Sequence, residues 1–188
     1  MHSVQTKHMV SICEAGGPMP QHGNGDEVAI PRAQRVLVVD DHAILRRGLR
    51  GLLELSPGWE WCGEADSGEA SILAAPELIP DVMIMDVSMP GIGGIAATRA
   101  IHAALSQLKI VLHTLHKSAE LVRIGLAAGA TGYVVKTDSE EQMLAALEAV
   151  LRGEVYVTPS FGPEVTAMLG KKLPAKKRAP REKDIRGQ

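Results

Sequence analysis

Two hydrophobic periods alternate along this chain. Short unbroken apolar runs suit strands buried on both faces of a parallel sheet. Between them lie longer segments with apolar residues three and four apart, which suit amphipathic helices. The first run, Val36-Leu37-Val38-Val39, ends on Asp40 and Asp41. Ala43 to Leu55 then sets Ile44, Leu45, Leu49, Leu52 and Leu53 at helical spacing, with Arg46, Arg47 and Arg50 off that stripe, and Ser56-Pro57-Gly58 stops it. A weaker strand is expected over Trp59 to Ala65. A short Ala-rich helix follows from Ser67-Gly68-Glu69 to about Ala75, with Pro76 and Pro80 bracketing the return. The next run, Val82-Met83-Ile84-Met85, ends abruptly on Asp86, and a Pro90-Gly91 turn comes soon after.

The alternation continues with a helix over Ile95 to Leu105, a strand over Lys109 to Thr114 and a helix over Ser118 to Ala128, whose stop is Gly129. A fifth strand spans Gly132 to Lys136. Thr137-Asp138-Ser139-Glu140-Glu141 opens a last helix to about Arg152, with Met143, Leu144, Leu147, Val150 and Leu151 as its stripe. Five strands alternating with five helices imply an α/β fold with a doubly wound parallel sheet covered on both faces. Residues 1–33 hold Gly16-Gly17-Pro18 and Gly23-Asn24-Gly25 without sustained periodicity and read as a flexible leader. The folded unit is expected over 34–153. Residues 154–188 read as a linker and tail, with Tyr156-Val157-Thr158-Pro159 and a short helix near Pro163 to Leu169.

Composition narrows the picture. The apolar share is 45%, enough for one sizeable core in 188 residues, and with two Trp, two Tyr and one Phe that core is aliphatic. A net charge of −2 gives no whole-molecule pull toward nucleic acid or membrane. It hides an asymmetry, because the last 18 residues carry eight Lys/Arg against two acids. Two cysteines, Cys13 and Cys62, make no disulfide framework and fit a reducing compartment. No run approaches membrane-spanning length, so the chain reads as soluble and cytoplasmic, with no membrane partner. His2, His8 and His22 lack metal-site spacing and read as solvated side chains.

Chemistry gathers where the strands end. In a doubly wound parallel sheet the strand C-termini share one edge, which brings Asp40, Asp41 and Asp86 together. Clustered carboxylates resist joint ionisation unless a cation neutralises them, and a hard divalent ion such as Mg²⁺ meets that need. Thr114 and Lys136 end the fourth and fifth strands at the same edge and supply a hydroxyl and an ammonium. The set suits an aspartyl-phosphate site with Asp86 as nucleophile. Simpler readings compete: Asp40 and Asp41 as a helix cap, Thr114 as an ordinary strand residue, Tyr133 as a static half-buried ring, His113 and His116 as surface or rim histidines. Two acids exceed what a cap requires. Gly91-Ile92-Gly93-Gly94-Ile95-Ala96 fits a dinucleotide-binding fingerprint, but Pro90 and its neighbours separate it from the strand and no acid follows for a ribose.

Taken together, Asp40-Asp41-His42, Asp86-Val87-Ser88-Met89-Pro90-Gly91, Thr114 and Tyr133-Val134-Val135-Lys136 resemble the receiver (CheY-like) domain of bacterial two-component response regulators over roughly Arg35 to Gly153. The resemblance implies a flavodoxin-like (βα)₅ fold with sheet order 2-1-3-4-5. It implies that Asp86 accepts a phosphoryl group from a sensor histidine kinase, and that Asp40, Asp41, Asp86 and the Ser88 backbone carbonyl hold Mg²⁺. It assigns Lys136 to the phosphoryl or carboxylate oxygens, Thr114 and Tyr133 to a conformational switch, and Ser88 and His116 to the tuning of autodephosphorylation. It also implies a homodimer through the face of the fourth and fifth helices. The chain is then a phosphoacceptor switch rather than an enzyme acting on external substrates. Metal-dependent phosphatases with an aspartyl nucleophile are the alternative, but they carry a second acid where Ser88 stands.

Glu154-Val155-Tyr156-Val157-Thr158-Pro159 resembles the joint of NarL/FixJ-type regulators, where a linker leads to a LuxR-type helix-turn-helix domain, and Ala179-Pro180-Arg181-Glu182-Lys183 resembles that domain's entry. The chain stops at Gln188, so the expectation is a receiver truncated before its DNA-binding domain, without specific DNA binding. The alternative is a transcriptional regulator represented by an incomplete chain.

Overall fold

The computed structural model describes residues 10–12, 32–163 and 165. In chain order its strands are β1 (Val10–Ile12), β2 (Gln34–Val39), β3 (Trp59–Ala65), β4 (Val82–Asp86), β5 (Lys109–Thr114), β6 (Gly132–Val135) and β7 (Tyr156–Val157). Its helices are α1 (Ala43–Leu55), α2 (Gly68–Leu78), α3 (Gly93–Ala104), α4 (Ala119–Ala128) and α5 (Glu140–Leu151). The strands form one sheet in the order β1-β3-β2-β4-β5-β6-β7. The five strands expected from the sequence are parallel and, counted from Gln34, lie in the order 2-1-3-4-5.

The sheet is wider than five strands. β7 joins β6 in parallel, and β1 joins β3 antiparallel, with Val10 opposite Ala65 and Ile12 opposite Gly63. The segment expected to be a flexible leader therefore contributes one strand. Three residues are too few for alternation to stand out in sequence. Residues 1–9 and 13–31 of that leader, and the tail from 166 onward with most of the expected short helix, lie outside the described residues.

Strand periodicity divides the core in two. Leu37, Val39, Met83, Met85, Ile110, Leu112 and Tyr133 face α2, α3 and α4, packing on Ala70, Ala74, Ala97, Ile101 and Val122. Val36, Val38, Val82, Ile84, Val111 and Val134 face α1 and α5, packing on Leu52, Leu53, Met143 and Leu147. All five residues of β4 are buried, as a central strand covered on both faces requires. Helix ends follow local chemistry. Ser118 accepts the Leu121 N–H and opens α4, and Gly129, at φ 103°, closes it in the left-handed region that favours glycine. α2 runs past the expected stop: Pro76 sits in its last turn, and the helix ends only at Leu78. Among the described residues no helix is long and apolar enough to cross a membrane.

Candidate functional site

The two-residue period of a strand decides which side chains meet at the carboxyl edge. Asp40 continues the parity of Val36 and Val38, Asp86 that of Val82 and Ile84, His113 that of Val111, and Lys136 that of Val134, so all four point toward the α1–α5 layer. Thr114 and Tyr133 share the opposite parity, toward α4. Lys136 Nζ lies 2.7 Å from Asp40 Oδ2 and 2.9 Å from Asp86 Oδ2. Asp40 and Asp86 are each 1% exposed and the Lys136 side chain 5%, so this three-membered ion cluster is withdrawn from solvent.

Asp41 is half-buried, and its Oδ1 sits 2.8 Å from His42 Nδ1. Neither acid caps α1. The cap position is His42, without a side-chain cap bond, while Asp40 Oδ1 accepts the His42 backbone N–H at 2.8 Å. One ligand atom from each of Asp40, Asp41, His42 and Asp86 lies within 4.8 Å of the others. Three carboxyl groups face one ammonium here, a formal excess of two negative charges. Asp41 Oδ1 and Asp86 Oδ2 are buried oxygens that accept no well-aligned hydrogen bond despite their ion-pair neighbours. Unsatisfied carboxylate oxygens at a formal charge of −2 fit a hard divalent cation.

After Asp86 the chain folds back on it. Ser88 N–H donates to Asp86 Oδ1 at 3.1 Å, and the Ser88 residue is exposed. Gly94, in the first turn of α3, backs against the strand end, where a Cβ would overlap the Asp86 carbonyl oxygen. Close backbone approach, rather than a nucleotide, accounts for this glycine of the fingerprint-like run. Thr114 is fully buried, and its Oγ1 accepts the His116 N–H at 3.1 Å. His116 itself is exposed. Tyr133 is fully buried, and its hydroxyl donates to the Val122 carbonyl at 3.0 Å, in a notch where a Cβ on Gly125 would overlap the hydroxyl. Burial pushes this phenol's pKa up. The Tyr133 ring also meets Phe161 edge-on, with centroids 6.2 Å apart.

A model of the response regulator receiver domain matches residues 36–148, more than half of the chain. The chain belongs to that family. It is 40% identical over 131 residues to the response regulator GacA of Pseudomonas viridiflava, covering 70% of this chain and 61% of that protein. It is 36% identical over 130 residues to UvrY of Escherichia coli K12, covering 69% and 60%. It therefore spans about three-fifths of the length of the curated relatives it matches. Among solved structures, a LuxR-family two-component response regulator from Aurantimonas is similar at a TM-score of 0.69 and 34% identity, over 72% of this chain and 97% of that one. The receiver domain of the putative regulator NarL from Mycobacterium tuberculosis is similar at 0.63 and 30%, over 66% and 100%.

Some of the receiver's supporting residues carried no signal in the sequence. Arg46, expected on the solvent side of α1, is buried; its Nη1 donates to the Asp40 carbonyl at 2.7 Å and its Nε pairs with Glu64 at 3.2 Å. Ile44, expected on the apolar stripe, is 81% exposed. The first turn of α1 thus turns its arginine inward to hold the acid loop and its isoleucine outward. His113 is not a surface or rim residue but 7% exposed, and burial together with the nearby Lys136 ammonium lowers its pKa from 6.5 to about 4. It lies beside Asp86 in the sheet as a neutral imidazole at physiological pH.

Proposed function

We propose that the chain is a phosphorylation-controlled switch whose acceptor is Asp86. The observation that carries this reading is the Lys136 ammonium bridging Asp40 and Asp86 at the buried carboxyl edge, beside the second acid Asp41. The donor in this reading is a phosphohistidine of a sensor histidine kinase. An Asp86 oxygen attacks phosphorus, the P–N bond breaks, and the electron pair leaves with the imidazole as an acyl phosphate forms. Lys136 then faces an added negative charge and moves from a carboxylate partner to a phosphoryl partner. Thr114 accepts one hydrogen bond through a lone pair and keeps its own O–H to donate to a phosphoryl oxygen. Tyr133, sharing the parity of Thr114, carries that rearrangement to α4 through its hydroxyl.

Asp40, Asp41, Asp86 and the Ser88 carbonyl would hold Mg²⁺, which when bound supplies charge neutralisation on the transferring group. Ser88 and His116, exposed beside the acceptor and the switch hydroxyl, are placed to tune water's approach to the acyl phosphate. Exposed Ile44, Ile92 and Leu115 come from three loops or helix starts at this same edge and supply apolar contacts for a kinase. A homodimer through the face of α4 and α5 would form over β7, which occupies the outer edge of β6.

The test is direct. With acetyl phosphate and Mg²⁺, intact mass spectrometry is expected to show one phosphoryl adduct on the wild-type chain and none on Asp86→Asn. An adduct on both proteins, or on neither, would overturn the assignment. Chelation of Mg²⁺ is expected to slow labelling of the wild type by at least about a hundredfold, in line with several kcal/mol of charge stabilisation.

A further inference from the structure

Lys136 does not stand on the sheet alone. It opens the turn between β6 and α5, and that turn is closed in both directions: Asp138 N–H donates to the Val135 carbonyl at 2.9 Å, and Val135 N–H donates to Asp138 Oδ2 at 3.2 Å. Asp138 was expected to help open α5, but the cap position belongs to Ser139 and the Asp138 carboxylate turns back instead. The same Oδ2 accepts a second hydrogen bond, from the Ser160 hydroxyl, at 2.9 Å. Ser160 in turn meets the Thr158 hydroxyl at 3.2 Å.

Ser160 lies beyond residues 36–148, in the segment after α5. That segment is anchored along its length. Tyr156 N–H donates to the Thr131 carbonyl at 2.9 Å and Thr158 N–H to the Tyr133 carbonyl at 3.0 Å, while the Tyr156 hydroxyl donates to Gln142 Oε1 at 2.7 Å. Phe161 then meets the Tyr133 ring. One short strap thus reaches two groups that respond to a phosphoryl group in that reading: Lys136, through Asp138 and the neighbouring Val135 N–H, and Tyr133, through Phe161.

We infer that Asp138 and Ser160 are positioning residues for Lys136, so that the segment 156–161 is energetically coupled to the occupancy of the phosphoryl site. The inference rests on the reading of Asp86 as acceptor. A lysine that must reach two carboxylates at 2.7 and 2.9 Å has little freedom in where its backbone starts: its own N–H is held by the Thr114 carbonyl at 2.7 Å, and the peptide before it by the Asp138 carboxylate, which Ser160 holds in turn. Coupling of this kind is reciprocal: whatever the strap does for the site, the filled site does for the strap.

The experiment uses the full chain and three variants, Ser160→Ala, Ser160→Thr and Asp138→Ala, with folding checked by circular dichroism. Acetyl phosphate labelling gives the rate. Fluorine NMR of bound beryllofluoride, a phosphoryl mimic, gives half-saturation and the resonance of the fluorine facing Lys136. Ser160→Ala is expected to slow labelling and raise half-saturation by about fivefold, the effect of losing one charge-assisted hydrogen bond. Its bound-fluorine resonance should shift, which loosened folding alone would not produce. Ser160→Thr, which keeps the hydroxyl, should return both values to within about twofold of wild type, and Asp138→Ala should lose more than Ser160→Ala. Beryllofluoride should also slow hydrogen exchange at Tyr156 and Thr158 in the wild type and not in Ser160→Ala. Wild-type labelling with unchanged rate, half-saturation and fluorine resonance in a folded Ser160→Ala overturns the positioning role alone. A wild-type chain that takes no adduct overturns the acceptor reading and this inference with it.

Discussion

Both edges of this sheet hold acid–base pairs, and they do so in opposite ways. At the amino edge Arg32 meets Asp81 at 2.7 Å, with the arginine side chain 63% exposed and the aspartate 21%. Arg35 stands 3.7 Å from Glu60, at 29% and 45%. At the carboxyl edge Lys136, Asp40 and Asp86 meet at similar distances with 5%, 1% and 1% exposed. Water screens the first set, so those pairs contribute little and their loss is tolerable. The second set is taken out of water at a cost of several kcal/mol per ion, which mutual attraction offsets only while every partner is present. A fold has no structural need for such a cluster, and an apolar trio of the same volume would serve it as well. Costly burial at one edge, against cheap exposure at the other, separates a reactive cluster from ordinary surface chemistry.

Removing one partner from each edge breaks this comparison open. Lys136→Met leaves two buried carboxylates without their cation. Urea denaturation in the presence of a chelator should show a loss of about 3–5 kcal/mol, part of it recovered with excess Mg²⁺. A smaller effect follows from acid. Unfolded His113 takes up a proton near pH 6.5, whereas the folded residue stays neutral down to about 4. The unfolded state thus binds more protons in that window, and stability falls as pH drops through it, by about 3 kcal/mol. In His113→Asn the loss between pH 6.5 and 4 should be smaller by that amount, measured by denaturation at a series of pH values. The smallest effect belongs to the amino edge: Asp81→Asn should cost about 0–1 kcal/mol, and about 0.5 M salt should erase most of it while leaving the Lys136→Met deficit in place. A deficit of equal size at both edges would remove the distinction drawn here.

The legible part of this molecule is the part written in short-range pattern. Apolar runs ending on Asp40 and Asp86 marked buried strands and their tips, and parallel topology carried those tips to one edge. Gly129 marked a helix stop, and Thr114 and Lys136 lay at strand ends where they could be counted. What escaped depends on partners far away in sequence. Arg46 reads as a solvent-side residue of α1 until Asp40 and Glu64 are seen to claim it, 6 and 18 positions distant. Asp138 looks like a helix opener until Ser160, 22 residues on, is found against it. β7, at two residues, is shorter than any period that could reveal it.

The outer strand β1 has a consequence for how this protein keeps to itself. It spans three residues against the seven of β3 and pairs only with Gly63, Glu64 and Ala65. The other half of β3, from Trp59 to Cys62, is rich in the side chains that strands favour, and among the described residues β1 pairs with none of it. A strand edge without a partner invites a strand from another molecule, and an aggregate can grow from it. Glu60 stands in that stretch, 45% exposed, and sets a charge where a foreign strand would align. Among the described residues, a short strand and a nearby carboxylate thus guard this side of the sheet against edge-to-edge association.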